Sequence, residues 1–169
     1  MSKKTRFWAR VTLVLVIIVG VLELIAQGLA VGGGDVGLVA PDEALGWRLS
    51  PNHVGQMAGV TVSTDSHGVR VADADTPTER GQAGTVVWLL GDSFTFGWGL
   101  PWEETVSAQL AGLMPKGSAV YNLGVPGYGL TQSLLRLREE RSLPDPDIVI
   151  LLANPMDVVE DMLSSSLVY

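Results

Sequence analysis

Hydrophobic positions fall into three regimes along the chain. Residues 11–22 (VTLVLVIIVGVL) form a run without a charged side chain, and apolar character continues to about residue 30. About 20 such residues in a helix cross a bilayer core, so residues 1–30 are expected to form an N-terminal transmembrane helix. In residues 31–84 the apolar positions are scattered, with Val60, Val62 and Val69 in short alternation, which predicts extended structure packed on a main domain. Gly32-Gly33-Gly34 makes the start of this stretch a flexible spacer, and residues 71–84 read as a polar surface loop.

From residue 85 the pattern becomes regular. Residues 85–90 (TVVWLL) and 147–153 (DIVILLA) are short apolar runs, as expected of strands buried on both faces, and 118–123 (SAVYNL) is a further strand candidate. Between them, residues 103–114 and 130–143 carry apolar side chains at helical spacing, the second with Arg136, Arg138 and Arg141 on its wet side. Strand, helix, strand, helix, strand with short connections predicts an α/β domain with right-handed crossovers in a parallel sheet over 85–169. In such sheets functional groups gather at the carboxyl ends of the strands. Here those ends are Gly91-Asp92-Ser93, Asn122-Leu123-Gly124 and Asn154-Pro155-Met156-Asp157.

Charge sharpens the N-terminal reading. Lys3, Lys4, Arg6 and Arg10 precede the apolar run and are expected to stay in the cytoplasm, which sends the rest of the chain outside. The leading expectation is a retained signal anchor, single-pass, with the domain on the extracytoplasmic side. A cleaved signal peptide, with Gly28-Leu29-Ala30 as a weak small-x-small site, and a buried helix of a soluble domain are the alternatives. Residues 31–169 hold seven basic and seventeen acidic side chains, a balance of −10. A body so acidic repels phosphate backbones, so no nucleic-acid partner is expected. With no Cys there is neither a disulfide framework, a Cys-ligated zinc nor a thiol nucleophile, and no cofactor or metal is expected.

Ser93 follows a strand on a sharp Gly91 turn, where its hydroxyl can act as a nucleophile if a base and oxyanion donors are near. Taken alone, Gly-Asp-Ser favours a plain turn with an N-cap. The G-x-S-x-G elbow is not matched, because position 95 is Thr. Gly91-Asp92-Ser93-Phe94-Thr95-Phe96-Gly97 resembles the first block of the SGNH/GDSL hydrolase family. Asn122-Leu123-Gly124-Val125-Pro126-Gly127 is similar to its second block, and Asn154 stands where the third-block asparagine belongs. Leu45-Gly46-Trp47-Arg48 through Ser66-His67-Gly68-Val69-Arg70 more loosely resembles the lead-in of membrane-anchored bacterial members.

The resemblance implies a three-layer α/β/α, flavodoxin-like fold and a serine esterase acting on acyl esters outside the cytoplasm, O-acetyl glycans or lipids among them. It implies Ser93 as nucleophile, with the N–H of Gly127 and the amide of Asn154 as oxyanion-hole donors. Asp92 is read as a turn and N-cap residue. Two features depart from the family pattern: Pro155 replaces the usual Asp after the asparagine, and no histidine follows Ser93 where an Asp-x-x-His block is expected. His53 and His67 lie upstream and read as exposed turn residues. Three strands are also few for this sheet class, so the α/β domain is expected to be partial. The rival readings are a catalytically inactive tethered scaffold or truncated fragment, and an O-acyltransferase. Trp98 and Trp102 either line an acyl or sugar pocket or pack on the sheet edge. Asp157, Glu160 and Asp161 are expected on a solvated helix face.

Overall fold

The computed structural model describes residues 4, 8, 12, 14–22, 35, 37–74 and 84–165. The chain divides into two compact units, Met1–Gly34 and Asp35–Tyr169. In the first, residues 14–22 are helical, and every apolar side chain from Val14 to Leu22 is exposed. Among the described residues no helix is long and apolar enough to cross a membrane. Residues 23–34, which include the outer part of the expected span, lie outside the described residues, as do 75–83 of the expected loop.

The second unit begins with two antiparallel hairpins. Strands β1 (Val39–Asp42) and β2 (Gly46–Leu49) pair with each other alone. The Asp42 carboxylate closes their turn by accepting from the Ala44 and Leu45 N–H groups, and it pairs with Arg48 at 2.6 Å. Strands β3 (Val54–Met57) and β4 (Val60–Thr64) form the second hairpin, followed by the short β5 (Arg70–Val71).

The regular half then follows in the expected order. Strand β6 (Val86–Gly91) leads into α1 (Ser93–Phe96), a 3-10 turn at Trp102–Glu104 and α2 (Val106–Leu113). After it come β7 (Ala119–Asn122), α3 (Leu130–Glu139), β8 (Ile148–Leu152) and α4 (Pro155–Ser165).

One six-stranded sheet runs in the order β3-β4-β5-β7-β6-β8. Strands β7, β6 and β8 are mutually parallel, whereas β3, β4 and β5 add on antiparallel. The sheet is therefore mixed, and it has six strands where 85–169 alone offers three. The lead-in supplies the other three, because its alternating apolar residues complete the sheet rather than lying on it.

From β6 the chain steps to β7 on one side and then back across to β8 on the other. Right-handed connections in opposite directions place their helices on opposite faces. Accordingly Val87, Leu89 and Val120 pack with Leu110 and Met114 at the α2 side, while Val86, Trp88, Leu90 and Tyr121 pack with Leu137 of α3. This part is three-layered, and the reversal of direction falls at the carboxyl end of β6, where open α/β sheets bind ligands.

Candidate active site

Every residue of β6 is buried, so the chain leaves the sheet only by turning at its end. Gly91 makes that turn at φ +148, and a Cβ there would come within 2.2 Å of Thr95 Oγ1 and 2.6 Å of the Leu152 carbonyl oxygen. Only glycine fits. Asp92 then caps α1: its Oδ1 accepts from the Phe94 N–H at 2.9 Å. Ser93 is the first helical residue and is half-buried at the sheet lip, and among the described residues its hydroxyl has no hydrogen-bond partner. After one turn the helix ends at Gly97 in the left-handed region, whose N–H donates to the Ser93 and Phe94 carbonyls at 2.9 and 3.2 Å.

The loop after β7 is tied to this turn. The Val125 N–H donates to the Gly91 carbonyl at 3.0 Å. Fully buried Asn122 donates from Nδ2 to the Thr95 carbonyl and to Ser107 Oγ, both at 3.0 Å, and accepts from the Gly124 N–H at 3.1 Å. Gly127 lies in the turn closed by the Tyr128 N–H on the Val125 carbonyl. Trp47 of β2 braces that turn, donating from Nε1 to the Pro126 carbonyl at 3.2 Å. The Tyr128 hydroxyl donates back to the Trp47 carbonyl, and the two rings meet edge to face at 5.7 Å. The Trp47 ring lies 3.3 Å from where a Gly127 Cβ would be.

The loop after β8 closes the set. Asn154 precedes α4, and Pro155 takes the first helical position, where its missing N–H costs nothing. Asp157 reaches back, its Oδ2 accepting from the Asn154 N–H at 2.8 Å, the carboxylate half of a capping box. The Asn154 Nδ2 donates to Asp157 Oδ1 at 2.9 Å and to Asp92 Oδ2 at 2.7 Å. A continuous chain of hydrogen bonds thus runs from α4 through Asp157, Asn154 and Asp92 to the backbone beside Ser93.

Burial pushes the Asp157 carboxyl up from its ordinary value, and the charges of Asp92 and Asp161 push it further, against the lowering bond from the Asn154 N–H. Asp157 is 1% exposed, and Asp161 accepts from the Thr131 N–H at the start of α3. The expectation of a solvated acidic face fails for both, because α4 lays this side against the sheet end and α3. The side chain of Glu160 lies outside the described set.

Ser93, Gly127 and Asn154 therefore stand on the loops after β6, β7 and β8. Direct hydrogen bonds join the three loops: Val125 to Gly91, and Asn154 to Asp92. Both Nδ2 hydrogens of Asn154 have carboxylate acceptors in this arrangement, so donation to an oxyanion requires exchanging one of them. Trp98 is 44% exposed, and Trp102 is half-buried.

The histidines lie elsewhere. His67 is exposed in the turn entering β5, its N–H bonded to Asp65 Oδ1. His53 departs from the expected exposed turn: it is half-buried, with Nε2 2.6 Å from Asp35 Oδ2, and this bond lowers the Asp35 carboxyl below its ordinary value. It precedes β3, four strand spacings from β6, roughly 19 Å across the sheet at about 4.8 Å per strand. Among the described residues no group of three or more His, Asp or Glu side chains is placed to hold a metal ion. No family model matches the chain, and no curated protein matches it.

Proposed function

We propose that this protein is a serine-dependent acyl hydrolase of the SGNH/GDSL type, acting on ester bonds outside the cytoplasm. The observation that carries the reading is the hydrogen-bonded joining of three strand-end loops beside one half-buried serine. In this reading the Ser93 hydroxyl attacks the acyl carbonyl, its proton passes to the departing alkoxide, which leaves as the alcohol, and water then releases the acid from the acyl-serine. The N–H groups of Ser93 and Gly127 stabilise the developing oxyanion, joined by Asn154 once substrate draws its amide from a carboxylate. Losing one such donor typically costs about 10²–10³ in rate. Trp98 and Phe94, exposed beside the turn, offer apolar surface to the acyl group. Glycan and lipid esters are the candidate substrates, and transfer to an acceptor hydroxyl in place of water makes the same site an O-acyltransferase.

The apolar helix over residues 14–22, exposed on all sides, supports a membrane tether. In this reading the basic residues before it stay in the cytoplasm and the body lies on the outer side.

The decisive experiment is labelling of the full chain with a fluorophosphonate, alongside p-nitrophenyl acetate turnover. Labelling confined to Ser93, with both signals abolished in Ser93→Ala, is the expected result. Equal signals in wild type and Ser93→Ala overturn the nucleophile assignment. One specific observation favours a second reading, an inactive tethered scaffold: His53 and His67 both lie on lead-in elements, and no histidine follows Ser93. A wild-type chain that stays unlabelled while folded supports that reading.

A further inference from the structure

Among the described residues Arg70 is one of the largest fully buried side chains, 1% exposed, and no carboxylate among them pairs with it. A buried cation without a counter-ion is costly, and an apolar side chain would fill the same volume more cheaply. The compensation comes from backbone. Nη1 donates to the carbonyls of Phe96 and Gly97, and Nη2 to that of Leu100, all at 2.6 Å. The guanidinium carbon also lies 4.6 Å from the Phe96 ring centroid. These carbonyls belong to the end of α1 and the turn that follows it.

A one-turn helix cannot satisfy its own final carbonyls. Directly across the β5–β7 ladder from Arg70 stands Asn122, whose amide takes the Thr95 carbonyl. The paired residues Arg70 and Asn122 therefore hold the last carbonyls of the Ser93 helix from beneath. Gly97 leaves room for this: a Cβ there would lie 3.1 Å from Arg70 Nη1 and 2.7 Å from Thr105 Cγ2. The planar fork spreads its donors over two nitrogens, Nη1 for Phe96 and Gly97 and Nη2 for Leu100, a spread that lysine's single ammonium nitrogen does not reproduce.

We propose that Arg70 is a positioning residue for Ser93. Its guanidinium fixes the far end of the one-turn helix, so that the near end holds the serine hydroxyl and N–H at a set angle to the Gly127 and Asn154 loops. The inference rests on the nucleophile reading of Ser93, and it assigns a task to the Gly68-Val69-Arg70 lead-in. Burial draws the guanidinium pKa down to about 10, which leaves it charged at neutral pH.

The test uses the full chain and two variants, Arg70→Gln and Arg70→Lys, with two readouts. The first is fluorophosphonate labelling of Ser93, resolved into inactivation rate and reagent affinity. The second is amide hydrogen exchange across residues 84–125. Misplacing a reacting group by about 1 Å costs about 10²-fold, so Arg70→Gln is expected to slow inactivation by about that factor with reagent affinity unchanged. Arg70→Lys, which keeps the charge but not the fork, is expected to recover part of the rate. Exchange should quicken in residues 93–100 and stay unchanged in β6 and β7. Wild-type inactivation by Arg70→Gln, or exchange that rises uniformly through the unit, overturns the proposal. Should Arg70→Gln fail to fold, the same two readouts on Arg70→Lys decide it. A wild type that does not label overturns the nucleophile reading instead, and the exchange pattern still decides whether Arg70 holds the turn.

Discussion

Asp157 illustrates how one side chain acquires a role that its position in sequence does not announce. An acidic residue in the first turn of a helix is ordinary, but this one is buried and accepts from both the backbone N–H and the side-chain amide of Asn154. Its folded pKa lies above the ordinary 3.8 because burial and two neighbouring acids disfavour its charge. An acid raised in the folded state binds its proton more tightly there than when unfolded. Its contribution to stability is therefore complete below 3.8 and is lost as pH rises through the folded value. Asp157→Asn removes that titration. Urea midpoints measured stepwise through this window should fall less steeply with pH in the variant than in the parent, and parallel curves would count against the assignment. Arg70 shows the same disparity: by composition it is one of the chain's 11 basic residues, whereas by placement it is a buried donor fork.

At the scale of elements, the strands after residue 85 were legible within one residue, the helices less closely. The expected runs at 85–90, 118–123 and 147–153 appear as β6, β7 and β8. The helix expected over 103–114 splits into a 3-10 turn and α2, because Thr105 caps the second piece and is itself extended at ψ 153. The helix expected over 130–143 stops at Glu139, short of Pro144. What pattern alone did not separate was central from edge. Strand β8 is as apolar as β6, yet it ends the sheet, with Ile148, Val149 and Leu151 exposed. An apolar edge with open backbone groups is a template for association. Val149→Lys is expected to reduce self-association in sedimentation velocity runs while leaving the melting temperature unchanged. Unaltered association would show that this edge is not the contact.

For the whole molecule, the division at residue 34 separates an exposed apolar helix from a body with its own core. Removing residues 1–34 should leave the circular dichroism and melting temperature of the body unchanged while moving the protein from the membrane pellet to the soluble fraction. Retention in the pellet would overturn the tether. The body also shows why the candidate site was legible only in part. Ser93 and Asn154 could be located from strand ends, since a turn after a buried strand is a local feature, whereas Gly127, beyond the end of β7, was singled out only by the family resemblance. Their supports come from residues distant in sequence: Trp47 reaches Pro126 across 79 positions, and Arg70 reaches Phe96 across 26.

By itself the sequence determined the α/β alternation, the Gly91 turn that presents Ser93 and the apolar N-terminal run. These follow from side-chain periodicity, glycine stereochemistry and chain-local charge, all expressed within a few residues. Only the tertiary structure decided that the lead-in strands β3, β4 and β5 extend the sheet, that His53 pairs with Asp35, and that Asp157 and Arg70 serve the serine turn. Those outcomes depend on which surfaces meet when the sheet closes. A buried charge declares its purpose only once the groups that solvate it are known.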